Sequence, residues 1–262
     1  MVKHFTAANL RQCKEAGEKL CWLTAYDAPS AQIAEAAGVD VLLVGDSLGM
    51  TLLGFDSTIH VTLEMMAHHA AAVVRGRQRA WVVVDLPFGS YQGSPEQAFA
   101  SAVTLLQQTG CDAVKLEGGA AMVETVRFLS ARGLAVVAHL GLLPQSIKQL
   151  GDYRRQATDG ATATRLLDDA EALAGAGALA LVLESIPHDL AAAVTARIAI
   201  PTIGIGAGTG CDGQVLVWHD LLGLSLRNPP FAPQFSDLRS QAEAAIGRWC
   251  GAVRQGEFPP VS

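Results

Sequence analysis

The feature that most constrains this chain is an alternation repeated along its length. Short, mostly apolar runs of strand character are followed by turn residues and then by alanine-rich helical stretches. The runs are LCWLTA (20–25), VDVLLVG (39–45), AWVVVDL (80–86), DAVKLE (112–117), LAVVAHL (134–140), ALALVLE (178–184), PTIGIG (201–206) and QVLVWHD (214–220). Several are unbroken apolar segments, as expected of parallel strands buried on both faces. Between them lie helical patterns such as LEMMAHHAAAVVRG (63–76), PEQAFASAVTLLQQTG (95–110) and ATRLLDDAEALAGAG (163–177). Glycines at 38, 76, 110, 133 and 177 stand where such helices should stop. Eight β/α units predict a (β/α)8 TIM barrel. The competing architecture, an open doubly wound sheet, needs an early G-x-G-x-x-G turn. The glycine-rich loop GIGAGTG (204–210) has another spacing and comes late in the chain.

At 262 residues the chain suits one large domain, and we expect a single barrel over 1–262. Residues 221–235 read as irregular chain. A C-terminal helix over 236–254, bearing Ile246 and Trp249, is expected to pack on the barrel or on a neighbouring subunit. Half of the residues are apolar and 17% are charged, which excludes a mainly disordered chain. The low charge content points to surface covered in an oligomer. A net charge of −6 argues against nucleic acid or an anionic membrane as main partner. No apolar stretch reaches the roughly 20 residues of a membrane span, and the N-terminus shows no secretory signal. Five widely spaced cysteines without a C-x-x-C pair read as reduced thiols of a cytoplasmic protein.

Chemistry in such a barrel sits at the C-terminal ends of the strands. Asp46 follows VLLVG, Asp85 ends WVVVD, His139 ends AVVAH and Glu184 ends ALALVLE. Lys115 and Glu117 lie two apart in AVKLE and so share a face. Each has a plainer reading: a turn cap, a loop acid, a snorkelling lysine with its salt-bridge partner, a core histidine, a helix cap. The plainer readings do not predict that all six share one level. Asp46, Asp85 and Glu117 offer hard oxygen ligands suited to Mg²⁺. A metal with open positions could chelate a 2-oxo acid and acidify its neighbouring carbon, with Glu184 as the base. Lys115 should stay protonated beside the acids, and His139 could polarise a carbonyl. His68 and His69 diverge on a helix and make a poor metal pair. GIGAG could cradle a phosphate or serve a crowded strand exit. The long segment 141–160 reads as a lid or binding loop.

TAYDAPSAQIAEAAGVDVLLVGDSLGM (24–50), DLPFGSYQGSPEQA (85–98), VKLEGG (114–119), AHLGLLPQS (138–146), LVLESIP (181–187) and PTIGIGAG (201–208) together resemble the ketopantoate hydroxymethyltransferase family. The resemblance runs in order from about residue 6 to residue 255. It implies a barrel of the phosphoenolpyruvate/pyruvate superfamily. It also implies transfer of a hydroxymethyl group from 5,10-methylenetetrahydrofolate to 3-methyl-2-oxobutanoate, giving 2-dehydropantoate for pantothenate and coenzyme A synthesis. Residue by residue, it implies that Asp46 and Asp85 meet Mg²⁺, with Glu117 also in the metal site. Asp46, Ser47, Asp85, Lys115 and His139 would line the keto-acid site, and Glu184 would accept the proton. Family members are cytoplasmic homo-oligomers, typically decamers built as pentamers of dimers. The chain departs from the family's pattern at GFDST (54–58), IHVT (59–62), GDYRRQATDG (151–160) and GTGCDG (208–213).

Two other enzyme readings stay open on the residues alone. Lys115 could form a Schiff base in a metal-free aldolase, or the site could serve a carbon–carbon lyase of the same superfamily. A barrel retained only for binding would show a replaced acid or base at these strand ends, and none is replaced.

Overall fold

The computed structural model describes residues 4–259. It divides into two compact units, with the boundary after Leu216. The first is a closed barrel of eight parallel strands in sequential order. They are β1 (Leu20–Thr24), β2 (Val41–Val44), β3 (Trp81–Asp85), β4 (Ala113–Glu117), β5 (Val136–Gly141), β6 (Ala180–Glu184), β7 (Thr202–Ile205) and β8 (Gly213–Leu216). The ring closes through β1 and β8, with Leu20 opposite Gly213 and Trp22 opposite Val215. Each of the eight expected runs overlaps one strand, although β5 passes its run by one residue at Gly141 and β8 begins one residue early at Gly213. The runs are longer than the strands because strand ends pass into turns that remain buried and apolar. The last run changes character: Trp218–Leu221 is a helical turn.

Alternation along the strands sorts the side chains into two shells. Leu20, Trp22, Val41, Leu43, Trp81, Val83, Ala113, Val137, Ala180, Val182, Ile203 and Val215 form one continuous cluster filling the barrel. Trp22 and Trp81 meet edge to face in it, with centroids 6.5 Å apart. The intervening residues, such as Leu42, Val82, Val84, Val114, Leu116, Leu181 and Leu183, are equally buried under the helical layer. This double burial is why the strands read as unbroken apolar runs.

The helix Ala7–Ala16 adds Leu10 to the interior cluster. It is tied where strands begin. Phe5 N–H donates to the Arg79 carbonyl at 2.8 Å, and Lys14 Nζ meets Asp212 Oδ2 at 2.7 Å. One end of the barrel is therefore closed by apolar packing and ion pairs, which leaves the strand C-termini as the open end.

The second unit holds irregular chain and the helix Leu238–Gln255, capped by Asp237 and ended by Gly256. None of the helix's residues is buried. Among the described residues no helix is long and apolar enough to cross a membrane.

Candidate active site

The inward parity that fills the barrel with Trp81 and Val83 carries on to Asp85 at the end of β3. On β4 the inward residues after Ala113 are Lys115 and Glu117. On β5, Val137 is followed by His139; on β6, Ala180 and Val182 lead to Glu184. The interior thus turns from apolar to ionisable at one level of four neighbouring strands. Strand register adds to this, setting Asp85 opposite Lys115 and Glu117 opposite His139. Asp46 comes from the turn after β2, where its backbone N–H donates to Asp85 Oδ2 at 3.0 Å.

All six predicted residues meet. Lys115 Nζ lies 3.1 Å from Asp85 Oδ1 and 3.4 Å from His139 Nδ1. His139 Nδ1 stands 3.6 Å from Glu117 Oε1, and its Nε2 stands 3.3 Å from Glu184 Oε2. Asp46, Asp85, Lys115, Glu117 and His139 are buried, while Glu184 is partly exposed to the mouth. Ser47 is near the group, its Oγ 2.8 Å from the Tyr26 hydroxyl. A protonated ammonium can only donate, so His139 Nδ1 is its acceptor. We therefore assign the ring proton to Nε2, facing Glu184. Burial and then the Lys115 charge both lower the His139 pKa, which favours this neutral ring.

The charges do not balance. Four carboxylates share the rim with one ammonium. Burial first, then Asp85, pushes Asp46 up to about 7, against relief from Lys115 and a hydrogen bond from Gln145. Burial, Asp46 and Glu184 raise Glu117 well above the carboxylate range in spite of Lys115. For Lys115 burial acts downward, but Asp85, Glu117 and Asp46 outweigh it and lift the ammonium above its ordinary range. Asp85 Oδ1 is buried and takes part in no hydrogen bond, even with the ammonium 3.1 Å away. Three buried carboxyl groups gathered around one ammonium, with Asp85 Oδ1 holding only an ion-pair contact to Lys115, are a donor set that could take a cation. Among the described residues no three His, Cys, Asp or Glu side chains converge as a ready metal cage. Mg²⁺ does not need one, since it binds through one or two carboxylates and takes its other ligands from water and substrate. The donor set of Asp46 and Asp85 fits that habit.

Sequence reasoning missed two buried residues at this site. Tyr91 follows β3, and its hydroxyl accepts from the Glu117 N–H at 3.1 Å. Gln145, in the short turn Pro144–Ser146 after β5, donates from Nε2 to Asp46 Oδ2 at 2.9 Å and from its backbone N–H to Glu117 Oε2 at 3.1 Å. Both lie in segments that carry the family resemblance, but neither is at a strand end. At Gly141 the backbone has φ +98°, and a Cβ there would collide with the Glu184 carbonyl oxygen, so β5 leaves the barrel close against β6.

The segment expected to be a lid crosses the mouth. Tyr153 Oη lies 3.8 Å from Met50 Sδ, and the Gln156 N–H donates to the Ser185 carbonyl at 2.8 Å. Met50, Leu52, Leu53, Phe88 and Tyr153 are exposed. His69 Nδ1 lies 2.7 Å from the Tyr26 carbonyl, which ties helix Leu63–Gly76 to the turn bearing Tyr26. In GIGAG, Gly208 has φ +84°, and a Cβ would strike the His188 ring.

Solved structures share this architecture at low identity. A phosphonopyruvate hydrolase complexed with oxalate and Mg²⁺ superposes with a TM-score of 0.65 at 14% identity, covering 100% of this chain and 90% of that one. A 2,3-dimethylmalate lyase of the PEP mutase/isocitrate lyase superfamily gives 0.59 at 18% identity, covering 100% and 91%. Both show the fold alone. Sequence comparison goes further. The 3-methyl-2-oxobutanoate hydroxymethyltransferase of Carboxydothermus hydrogenoformans is 52% identical over 255 residues, 97% of this chain and 92% of that protein. The enzyme of the same name from Methylobacillus flagellatus is 54% identical over 253 residues, 96% of each. The profile of the family described as ketopantoate hydroxymethyltransferase matches residues 4–261. With that profile spanning nearly the whole chain, and relatives more than half identical along it, the chain belongs to the ketopantoate hydroxymethyltransferase family.

Proposed function

We propose that the protein transfers a hydroxymethyl group to 3-methyl-2-oxobutanoate, giving 2-dehydropantoate. The one-carbon unit comes from 5,10-methylenetetrahydrofolate, which leaves as tetrahydrofolate, and water supplies the hydroxyl oxygen. The observation that carries this reading is the excess of buried carboxylate around one ammonium at the strand C-termini. Family membership selects the reaction, since the relatives bear its name.

Asp46 and Asp85 would hold Mg²⁺, with Glu117 at its margin. Bound there, the ion would draw electron density from the keto oxygen and make the C3 hydrogen acidic. The other roles belong to the chain's own side chains. Ser47, whose hydroxyl meets that of Tyr26, receives the substrate carboxylate. The Lys115 ammonium, held charged by three acids, faces the substrate oxygens and does not serve as an amine nucleophile. This speaks against the Schiff-base reading. Glu184, on β6 and open to the mouth, removes the C3 proton. His139 Nε2 stands 3.3 Å from Glu184 Oε2 without a formed hydrogen bond, close enough for its N–H to turn onto that carboxylate when substrate is bound. The C3 carbon then bonds to the folate-borne methylene as one of its two carbon–nitrogen bonds breaks, and water replaces the second nitrogen, leaving the hydroxymethyl group on C3 and releasing tetrahydrofolate. Exposed Met50, Leu52, Leu53, Phe88 and Tyr153 offer apolar surface to the pterin side of that donor.

Two measurements test this. Product formation should require keto acid, methylenetetrahydrofolate and Mg²⁺, each omitted in turn. In D₂O without folate, the C3 hydrogen should exchange, and Glu184→Gln should slow that exchange by about 10²–10⁴-fold. Exchange in the variant at the wild-type rate would remove Glu184 as the base.

A further inference from the structure

Gln145 is a neutral side chain set among the acids, with only 3% of its surface exposed. Its amide is fully engaged. Nε2 donates to Asp46 Oδ2 at 2.9 Å and to the Leu86 carbonyl at 2.9 Å. Oε1 accepts from the Tyr91 hydroxyl at 2.7 Å and from Gln92 Nε2 at 3.1 Å. The Leu86 carbonyl can only accept, so the amide cannot be flipped without losing that bond. Tyr91 is itself 1% exposed and is held through the Glu117 N–H. The loops after β3 and β5 are thereby joined through one amide, and that amide ends on a carboxylate of the cation site.

Such a bond has two consequences. It fixes the plane of the Asp46 carboxylate, and it occupies Oδ2 with a neutral donor. The backbone N–H of the same residue does the same for Glu117 Oε2 at 3.1 Å. Groups that orient ligating carboxylates from behind raise metal affinity by removing the freedom the ligand would otherwise lose on binding.

We propose that Gln145, braced by Tyr91, is a positioning residue that presets the Asp46 carboxylate for the divalent cation. This rests on the reading of Asp46 and Asp85 as the cation's ligands. The test is calorimetric titration of Mg²⁺ into the full-length protein, with melting of the metal-free protein measured alongside. Gln145→Met keeps length and volume but cannot hydrogen-bond through its side chain, while its backbone bond to Glu117 survives. It should weaken Mg²⁺ binding about 10–100-fold. Tyr91→Phe removes one hydroxyl and should weaken it about fivefold; it decides the matter if Gln145→Met does not fold. Asp46→Asn separates the two levels of the argument. If Asp46→Asn binds Mg²⁺ as wild type does, the cation reading itself falls. If Asp46→Asn loses binding while Gln145→Met and Tyr91→Phe stay within twofold of wild type, the positioning role falls and the cation site stands. A lower melting temperature with unchanged Mg²⁺ affinity would likewise assign Gln145 to structure alone.

Discussion

Lys115 shows how much one buried side chain can carry. Only 5% of its side chain is exposed, and among the described residues it is the ammonium that faces Asp85, Glu117 and Asp46. Replacing it by Met would leave those acids without their compensating charge. A broken buried ion pair costs about 3–5 kcal/mol, and Lys115→Met should lose that much in urea denaturation of the metal-free protein. Cys111 offers a test in a quieter setting. It precedes β4, and burial, with Asp112 adding to it, pushes its thiol up to about 11 from an ordinary value of 9.0. The unfolded chain therefore sheds this proton before the folded one does. The stabilisation is whole below pH 9 and is lost as the pH rises through 9 toward 11. Two units correspond to about 2–3 kcal/mol. Denaturation at pH 8 and pH 10.5 should show most of that loss in wild type, and a smaller one in Cys111→Ala. At this scale the sequence was legible where a titratable residue interrupts an apolar run. Lys115 inside AVKLE is anomalous on its face. Tyr91 and Gln145 were not legible, because a polar residue in a glycine- or proline-containing loop looks ordinary until its contacts are known.

Between residues and barrel, the joints of the β/α units decide where strands start. Glu35, near the end of helix Ala28–Ala36, accepts backbone N–H donors from Gln78 and Arg79 at 2.6 Å each, and a third from Ala80. One carboxylate thus organises the turn that delivers β3, the strand that ends in Asp85. Glu35→Ala would leave three donors to partial solvation. A loss of about 2 kcal/mol is expected, seen as a fall of about 4–8 °C in melting temperature. Turnover at low temperature should survive, because this turn lies at the opposite end of β3 from the chemistry. A larger effect on turnover than on melting would mean that strain here is transmitted along β3 to Asp85. The elements themselves were readable for a physical reason. Strands buried on both faces must be apolar throughout, and the glycines that close the helices mark where each unit turns back. The inward parity was readable too, since Lys115 and Glu117 two apart must share a face. What the runs hid was their ends: the eighth reads as strand through Asp220, yet the chain turns helical from Trp218.

Across the whole barrel, stability and function sit at opposite ends. The interior is a continuous apolar cluster up to the level of Val83, Ala113, Val137 and Val182. One step further along the same faces stand the carboxylates with too few cations. A site of this kind is held in place by the fold at a standing cost, because like charges are kept together in a poorly solvated space. Any cation that binds the folded site and not the unfolded chain repays part of that cost, and stability then follows ligand concentration by mass action. At a hundredfold excess over its dissociation constant Mg²⁺ should add about 2.7 kcal/mol. For a chain of this size that is a rise of about 5–11 °C in melting temperature. Differential scanning calorimetry with Mg²⁺, and again after chelation by EDTA, should show the rise and its reversal. The keto acid should add a further rise only when Mg²⁺ is present, since the cation is proposed to supply the positions its oxygens would occupy. Asp85→Asn should abolish both increments and should itself melt lower than metal-free wild type, because it breaks the buried ion pair with Lys115. A keto-acid increment of equal size without Mg²⁺ would separate substrate binding from the cation and leave Lys115 and Ser47 as its main anchors.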